Sequence, residues 1–127
     1  MPELNGVSLR NVLVVEDEPG ILSAMKLLLE LEGYRVLCAS NGEEALAVLT
    51  IETCDLIVTD YMMPRMTGGQ LIKKLRSDPE QRNIPIILVS AVPPPADIDN
   101  LIDAFLRKPF EIPQLLAVME LHLLNSR

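Results

Sequence analysis

The chain has 127 residues, 49% of them hydrophobic, and a net charge of −7. That length supports one domain with a core of its own, and the apolar fraction excludes a disordered chain. A pI near 4.6, with two Phe, two Tyr and no Trp, excludes direct nucleic-acid binding, which needs a basic footprint and rings to stack on bases.

No apolar run approaches the ~18 residues of a membrane span. The opening MPELNGVSLR has no signal-peptide core, so a cytoplasmic location without membrane partners is expected. Cys38 and Cys54 match no metal or redox spacing and lie in apolar stretches. Both are expected to be reduced, buried, small residues.

In chain order, residues 1–9 read as an N-terminal tail, 10–125 as the domain and 126–127 as its end. "NVLVVED" (11–17) is a short apolar run closing on acid, the first strand. Ile21, Leu22, Met25, Leu28 and Leu29 then recur at helical spacing, with Gly33 placed to stop the helix. "YRVLCAS" reads as a second strand. Asn41 caps a second helix, with Glu44 positioned as in a capping box and Ala45, Leu46 and Leu49 facing inward. "DLIVT" is the third strand, and Leu71, Ile72 and Leu75 mark a third helix after Gly68-Gly69. "IPIILVS" is the fourth strand and "AFLRKPF" holds a short fifth. The last helix carries Pro113 in its first turn, where a missing N–H does no harm. Strands alternating with helices indicate an α/β fold: a five-stranded parallel sheet with helices on both faces. "AVPPPADIDNLIDA" resists the pattern, because consecutive prolines cannot sit inside a helix. The fourth helix is therefore expected to be shortened or irregular, confined to 96–103.

A parallel sheet delivers the C-terminal ends of its strands to one edge, where ligands bind. The first strand ends in Glu16, Asp17 and Glu18, the third in Asp60 and the fourth in Ser90, while Lys108-Pro109 follows the fifth. Taken singly these are ordinary: a solvated loop or helix cap at Glu18 beside Pro19, a serine capping a helix, a stray Lys-Pro. Four in register on one sheet are not. Two carboxylates ~4 Å apart repel by roughly 4 kcal/mol at an effective dielectric near 20, so the rim must share a proton or recruit positive charge. Hard oxygen ligands suit Mg²⁺. With Lys108 and a hydrogen bond from Ser90, such a rim could neutralise a transferring phosphoryl group.

These residues resemble the receiver domains of two-component response regulators. "VLVVEDE" is similar to the family's acidic-pair strand, and "DYMMPRMTG" matches its Asp-x-x-Met-Pro-x-Met-x-Gly segment at Asp60, Met63, Pro64, Met66 and Gly68. "LVSA" and "FLRKPF" match the hydroxyl and Lys-Pro-Phe segments, so the likeness covers about 11–124. The resemblance implies a flavodoxin-like strand order 2-1-3-4-5. It implies Asp60 as phosphoacceptor, supplied by a sensor histidine kinase or phosphotransfer protein. Glu16, Asp17, Asp60 and the Met62 carbonyl would serve Mg²⁺, Ser90 and Lys108 would contact the phosphoryl oxygens, and Phe105 with Ser90 would act as the switch. A cis peptide before Pro109 is implied too. The downstream partner is an effector or a fused output domain, and a homodimer is allowed.

Three departures stand out. Only seventeen residues separate Ser90 from Lys108, fewer than is usual, which bears on the family's readout face. Met62 and Val92 occupy positions that tune acyl-phosphate hydrolysis and hold no water. Phe105 lacks a phenolic hydroxyl, whereas Thr67, where an aspartate is frequent, looks neutral. His122, the single histidine, reads as a surface or helix-end residue. Two other readings compete: a receiver-like interaction domain that needs no phosphorylation, and an aspartyl-nucleophile phosphohydrolase. The second lacks the customary aspartate two residues after the nucleophile, because Met62 stands there. A nucleotide or flavin domain fails on "EDEPG", three acids where a phosphate would have to sit. No turnover of a separate substrate is expected.

Overall fold

The computed structural model describes residues 3–4 and 7–125. Its elements are β1 (Asn11–Val15), α1 (Pro19–Leu31), β2 (Arg35–Ala39), α2 (Gly42–Leu49), β3 (Leu56–Asp60), α3 (Gly68–Ser77), β4 (Ile86–Ser90), α4 (Ala96–Asp99), β5 (Ala104–Arg107) and α5 (Ile112–Asn125). The sheet order is β2-β1-β3-β4-β5 and every neighbouring pair is parallel. Within the expected N-terminal tail, Glu3–Leu4 pairs antiparallel with Val7–Ser8. The expected C-terminal end, 126–127, lies outside the described residues.

Side chains alternate across a pleated strand, so each strand feeds two cores. Leu13, Ile57 and Leu88 pack with Leu71, Ile72 and Leu75 of α3 on one face. Val14, Val58 and Val89 pack with Met25 and Leu29 of α1 and Leu115 and Met119 of α5 on the other. Every residue of β3 and β4 is buried, as a strand covered on both sides requires. Thr59 joins that run because its hydroxyl donates to the Asp60 carbonyl at 2.9 Å.

The helix ends follow local chemistry, with one displacement. Gly33, at φ 98°, closes α1: its N–H bonds the Glu30 carbonyl at 3.0 Å and that of Tyr34 bonds Leu29 at 3.2 Å. Asn41 accepts the Glu44 N–H at 2.9 Å as expected, but the Glu44 carboxylate turns to the N–H of Ser40 at 2.6 Å, one residue before the cap. Both cysteines are free and half-buried rather than fully enclosed. Cys54 donates its S–H to the Leu56 carbonyl, and burial pushes its thiol up to about 11.

The fourth helix is short. It begins directly after Pro95 and spans four residues, with Ile98 as its one buried side chain. The prolines lack the N–H groups a longer helix would use, so the chain to β5 needs other support. Arg76 of α3 provides it. Its Nε donates to the Leu101 carbonyl at 2.7 Å and Nη1 to the carbonyls of Arg82 and Ile84 at 2.9 and 2.7 Å. Nη2 reaches Asp103 at 2.8 Å, and the same carboxylate accepts the N–H of Ile86. One guanidinium thus ties α3, β4 and the chain entering β5 together. Hydrogen bonds to charged groups contribute about 1.5–3 kcal/mol each, and a carbonyl stripped of its partner costs more than the bond gave. Arg76→Leu is therefore expected to lower unfolding stability by at least about 2 kcal/mol in a urea titration.

Candidate functional site

The C-terminal ends of β1, β3, β4 and β5 bring the expected residues to one rim. Glu16, the first residue past β1, is 3% exposed, and its N–H bonds the Ala39 carbonyl of β2. One carboxylate oxygen accepts the N–H of Glu18 at 3.1 Å, which closes the turn into α1. Asp60, the last residue of β3, is 7% exposed, and its Oδ1 accepts the N–H of Tyr61 at 2.9 Å. Lys108 Nζ stands 3.2 Å from Asp60 Oδ2 and 3.5 Å from Glu16 Oε1. Asp17 is exposed, yet one oxygen each from Glu16, Asp17 and Asp60 lie within 4.8 Å of one another.

Ser90 is buried at the end of β4, where its hydroxyl accepts the N–H of Val92 at 3.2 Å. Its carbonyl accepts the Lys108 N–H at 2.8 Å, so the same residue positions the lysine backbone. The Lys108-Pro109 peptide is cis. Phe105 is half-buried in the middle of β5. It lies between Ala104 and Leu106, which pack toward α1 and α5, so it points to the α3–α4 face. His122 stands in the last turn of α5, at the end of the sheet remote from this rim.

The charges oppose one another. Burial pushes the Glu16 carboxyl above its ordinary range; Asp60 and Asp17 add to this, while the Glu18 N–H and Lys108 pull it back. Burial alone would lower the Lys108 ammonium, but Asp60 and Glu16 more than offset it and the net shift is upward. The lysine is therefore firmly protonated, and the carboxylate trio remains short of positive charge.

Two residues support the site: Thr67, which the sequence left looking neutral, and Gly68, which the family segment marked without giving its reason. Thr67 caps α3 in a reciprocal box: its hydroxyl accepts the Gln70 N–H at 3.2 Å, and the Gln70 side chain accepts the Thr67 N–H at 2.9 Å. Gly68 lies against the end of β3; its N–H bonds the Tyr61 carbonyl at 2.8 Å, and a Cβ there would collide with the Asp60 carbonyl oxygen. The loop between β3 and α3 is clasped to α2 by Arg65, at φ 68°, whose guanidinium is 3.1 Å from Glu43. Met62 and Val92 stand on the loops after β3 and β4, 67% and 54% exposed. Beside the rim, a groove of about 620 Å³ runs along α1, lined by Ile21, Ala24, Leu28, Phe110 and Ile112, with Glu16 and Lys108 at its end.

A family model described as "Response regulator receiver domain" matches residues 12–120. The chain belongs to that family. This receiver domain is 36% identical over 107 residues to response regulator GtcR of Aneurinibacillus migulanus, covering 80% of this chain and 42% of that protein. It is 30% identical over 118 residues to the polar-differentiation response regulator DivK of Brucella anthropi, covering 90% and 96%. The structure of response regulator TrrA from Thermotoga maritima, in complex with Mg²⁺–BeF, superposes with a TM-score of 0.81 at 29% identity, over 90% of this chain and 99% of that one. The chain spans less than half the length of the first curated relatives it matches. Among the described residues of the receiver domain, no helix is long and apolar enough to cross a membrane.

Because the end of β3 leaves no room for a Cβ at residue 68, Gly68→Ala is expected to displace the loop that begins at Asp60. Phosphate incorporation from acetyl phosphate should fall sharply while the circular dichroism spectrum keeps its α/β shape.

Proposed function

We propose that this receiver domain takes a phosphoryl group onto Asp60 from a phosphohistidine of a sensor kinase or phosphotransfer protein, and that the acyl phosphate alters its contacts with a downstream effector or fused output domain. The observation that carries this is Lys108 Nζ placed between Asp60 Oδ2 and Glu16 Oε1, beside a third carboxylate. An Asp60 oxygen attacks phosphorus as the bond to the histidine nitrogen breaks. Lys108 offsets charge on the phosphoryl oxygens, and the Ser90 hydroxyl donates to one of them. Both are set by backbone bonds at the strand ends, so they need little rearrangement before transfer.

The all-oxygen donor set of Glu16, Asp17 and Asp60 fits a hard divalent cation, and by the family resemblance the Met62 carbonyl would be a further ligand. Mg²⁺, when bound, would supply the charge that one lysine cannot. The apolar groove along α1 reaches Glu16 and Lys108, the two partners beside Asp60, and offers α1 as a surface on which the phosphodonor protein could dock. Phe105 faces the α3–α4 side and would couple Ser90 to that face by packing alone. The short α4 supports an output that relies less on that helix than on α1 or the rearranged 91–95 loop.

Incubation with acetyl phosphate and Mg²⁺ should add one phosphoryl group by intact mass, and excess EDTA should abolish it. Asp60→Asn, isosteric but not nucleophilic, should fold and take no label; Lys108→Ala should retain metal binding and lose transfer. Full labelling of the Asn variant would place the acceptor elsewhere.

Lifetime follows from the two apolar residues at the site mouth. Neither Met62 nor Val92 can position an attacking water, an assistance typically worth about 10²-fold or more. The acyl phosphate should be long-lived, and Met62→Asn with Val92→Glu should shorten it. Rapid decay that these substitutions leave unchanged would refute the role given to the apolar pair.

A further inference from the structure

The acceptor loop carries two consecutive methionines with opposite environments. Met63 is 7% exposed and packed among Ile57, Leu71 and Ile72, whereas Met62 is 67% exposed. Among the other described methionines, Met25 and Met119 are buried and Met66 is half-buried against Gly42. Peroxides reach thioethers by collision, so the contrast in access makes Met62 the preferred target. Its loop leaves directly from Asp60, whose Oδ1 accepts the Tyr61 N–H, and is closed on itself by the Gly68 N–H on the Tyr61 carbonyl. Change at Met62 is therefore change at the mouth of the site.

We propose that Met62 is a modification site for peroxides, and that its oxidation shortens the life of the acyl phosphate on Asp60. The sulfur lone pair attacks one peroxide oxygen and the O–O bond breaks. Sulfur gains that oxygen and is oxidised by two electrons; the peroxide is reduced by two and leaves as water or an alcohol. The product, methionine sulfoxide, exchanges a flexible apolar side chain for a polar one with a strong hydrogen-bond acceptor. A thioether holds no water beside the acyl phosphate, while a sulfoxide oxygen can orient one for attack. The buried methionines, packed in the two cores, are spared, so the fold survives a dose that modifies Met62. The effect on lifetime rests on Asp60 as the acceptor; the selectivity of oxidation does not.

The full chain would be treated with limiting hydrogen peroxide, mapped by peptide mass spectrometry, then phosphorylated with acetyl phosphate and followed by intact mass. Met62 should gain oxygen ahead of Met25, Met63, Met66 and Met119. The acyl-phosphate half-life should shorten several-fold, less than the ~10²-fold of a positioned general base. Met62→Leu, compared with its own untreated half-life, should lose the peroxide effect. Met62→Gln, which places a permanent polar acceptor there, should shorten the half-life without peroxide. Earlier oxidation of another of these methionines, or an unchanged half-life in protein oxidised at Met62, overturns the proposal. If untreated protein takes no label, the acceptor assignment has failed and the lifetime effect falls with it, an outcome set apart because it precedes any peroxide.

Discussion

The ammonium of Lys108, suspended between Asp60 and Glu16, is the interaction on which the rim depends. It joins groups delivered by three different strands, and each arrives there only if the parallel register is kept: Val14 beside Val58, Thr59 beside Leu88, Ser90 beside Arg107. The two cores fix that register, because a slip of one residue would exchange the faces of every strand. Packing thus determines the electrostatics, and the electrostatics give the packing a use.

The arrangement carries a thermodynamic sign. Glu16, raised by burial, holds its proton more firmly in the folded protein than in the unfolded chain, so its ionisation subtracts from stability above the usual carboxylate range. Lys108, raised by its two carboxylate neighbours, contributes stability through neutral pH that is lost only as pH climbs through its own elevated value. The rim therefore holds more carboxylate charge than its one built-in ammonium offsets. Functional sites commonly concentrate perturbed groups in this way.

Much of this was legible in the chain because the signals are local. β-branched runs in β3 and β4, Gly33 at a helix end and the polar residues closing each strand depend on near neighbours or on topology alone. The three prolines likewise announced the reduced α4. What escaped is tertiary. Nothing near Arg76 reveals that its guanidinium collects carbonyls from Leu101, Arg82 and Ile84, because those partners arrive only after folding. The need for glycine at 68 comes from the Asp60 carbonyl, eight residues back in sequence yet in contact in space. Thr67 looked interchangeable because a cap is recognised by the helix that follows it. Helical spacing also marked Ile21 and Leu28 as one stripe with Met25 and Leu29, yet they are 45% and 38% exposed: the stripe is wider than the surface the sheet covers.

The reduced α4 has a consequence at the border of the sheet. Among the described residues β5 is the outermost strand on that side, with β4 as its sheet neighbour, and a four-residue flanking helix leaves little to screen its outer edge. Such a border is a template for adventitious strand pairing between molecules. Here the strand is four residues long and closes on Arg107, Lys108 and Pro109. Brevity, an exposed positive charge such as that of Arg107 and a residue with no N–H are among the means by which natural sheets discourage that association. The residues that terminate β5 therefore limit how far pairing could run along this border, and they do so on the flank where α4 is only four residues long.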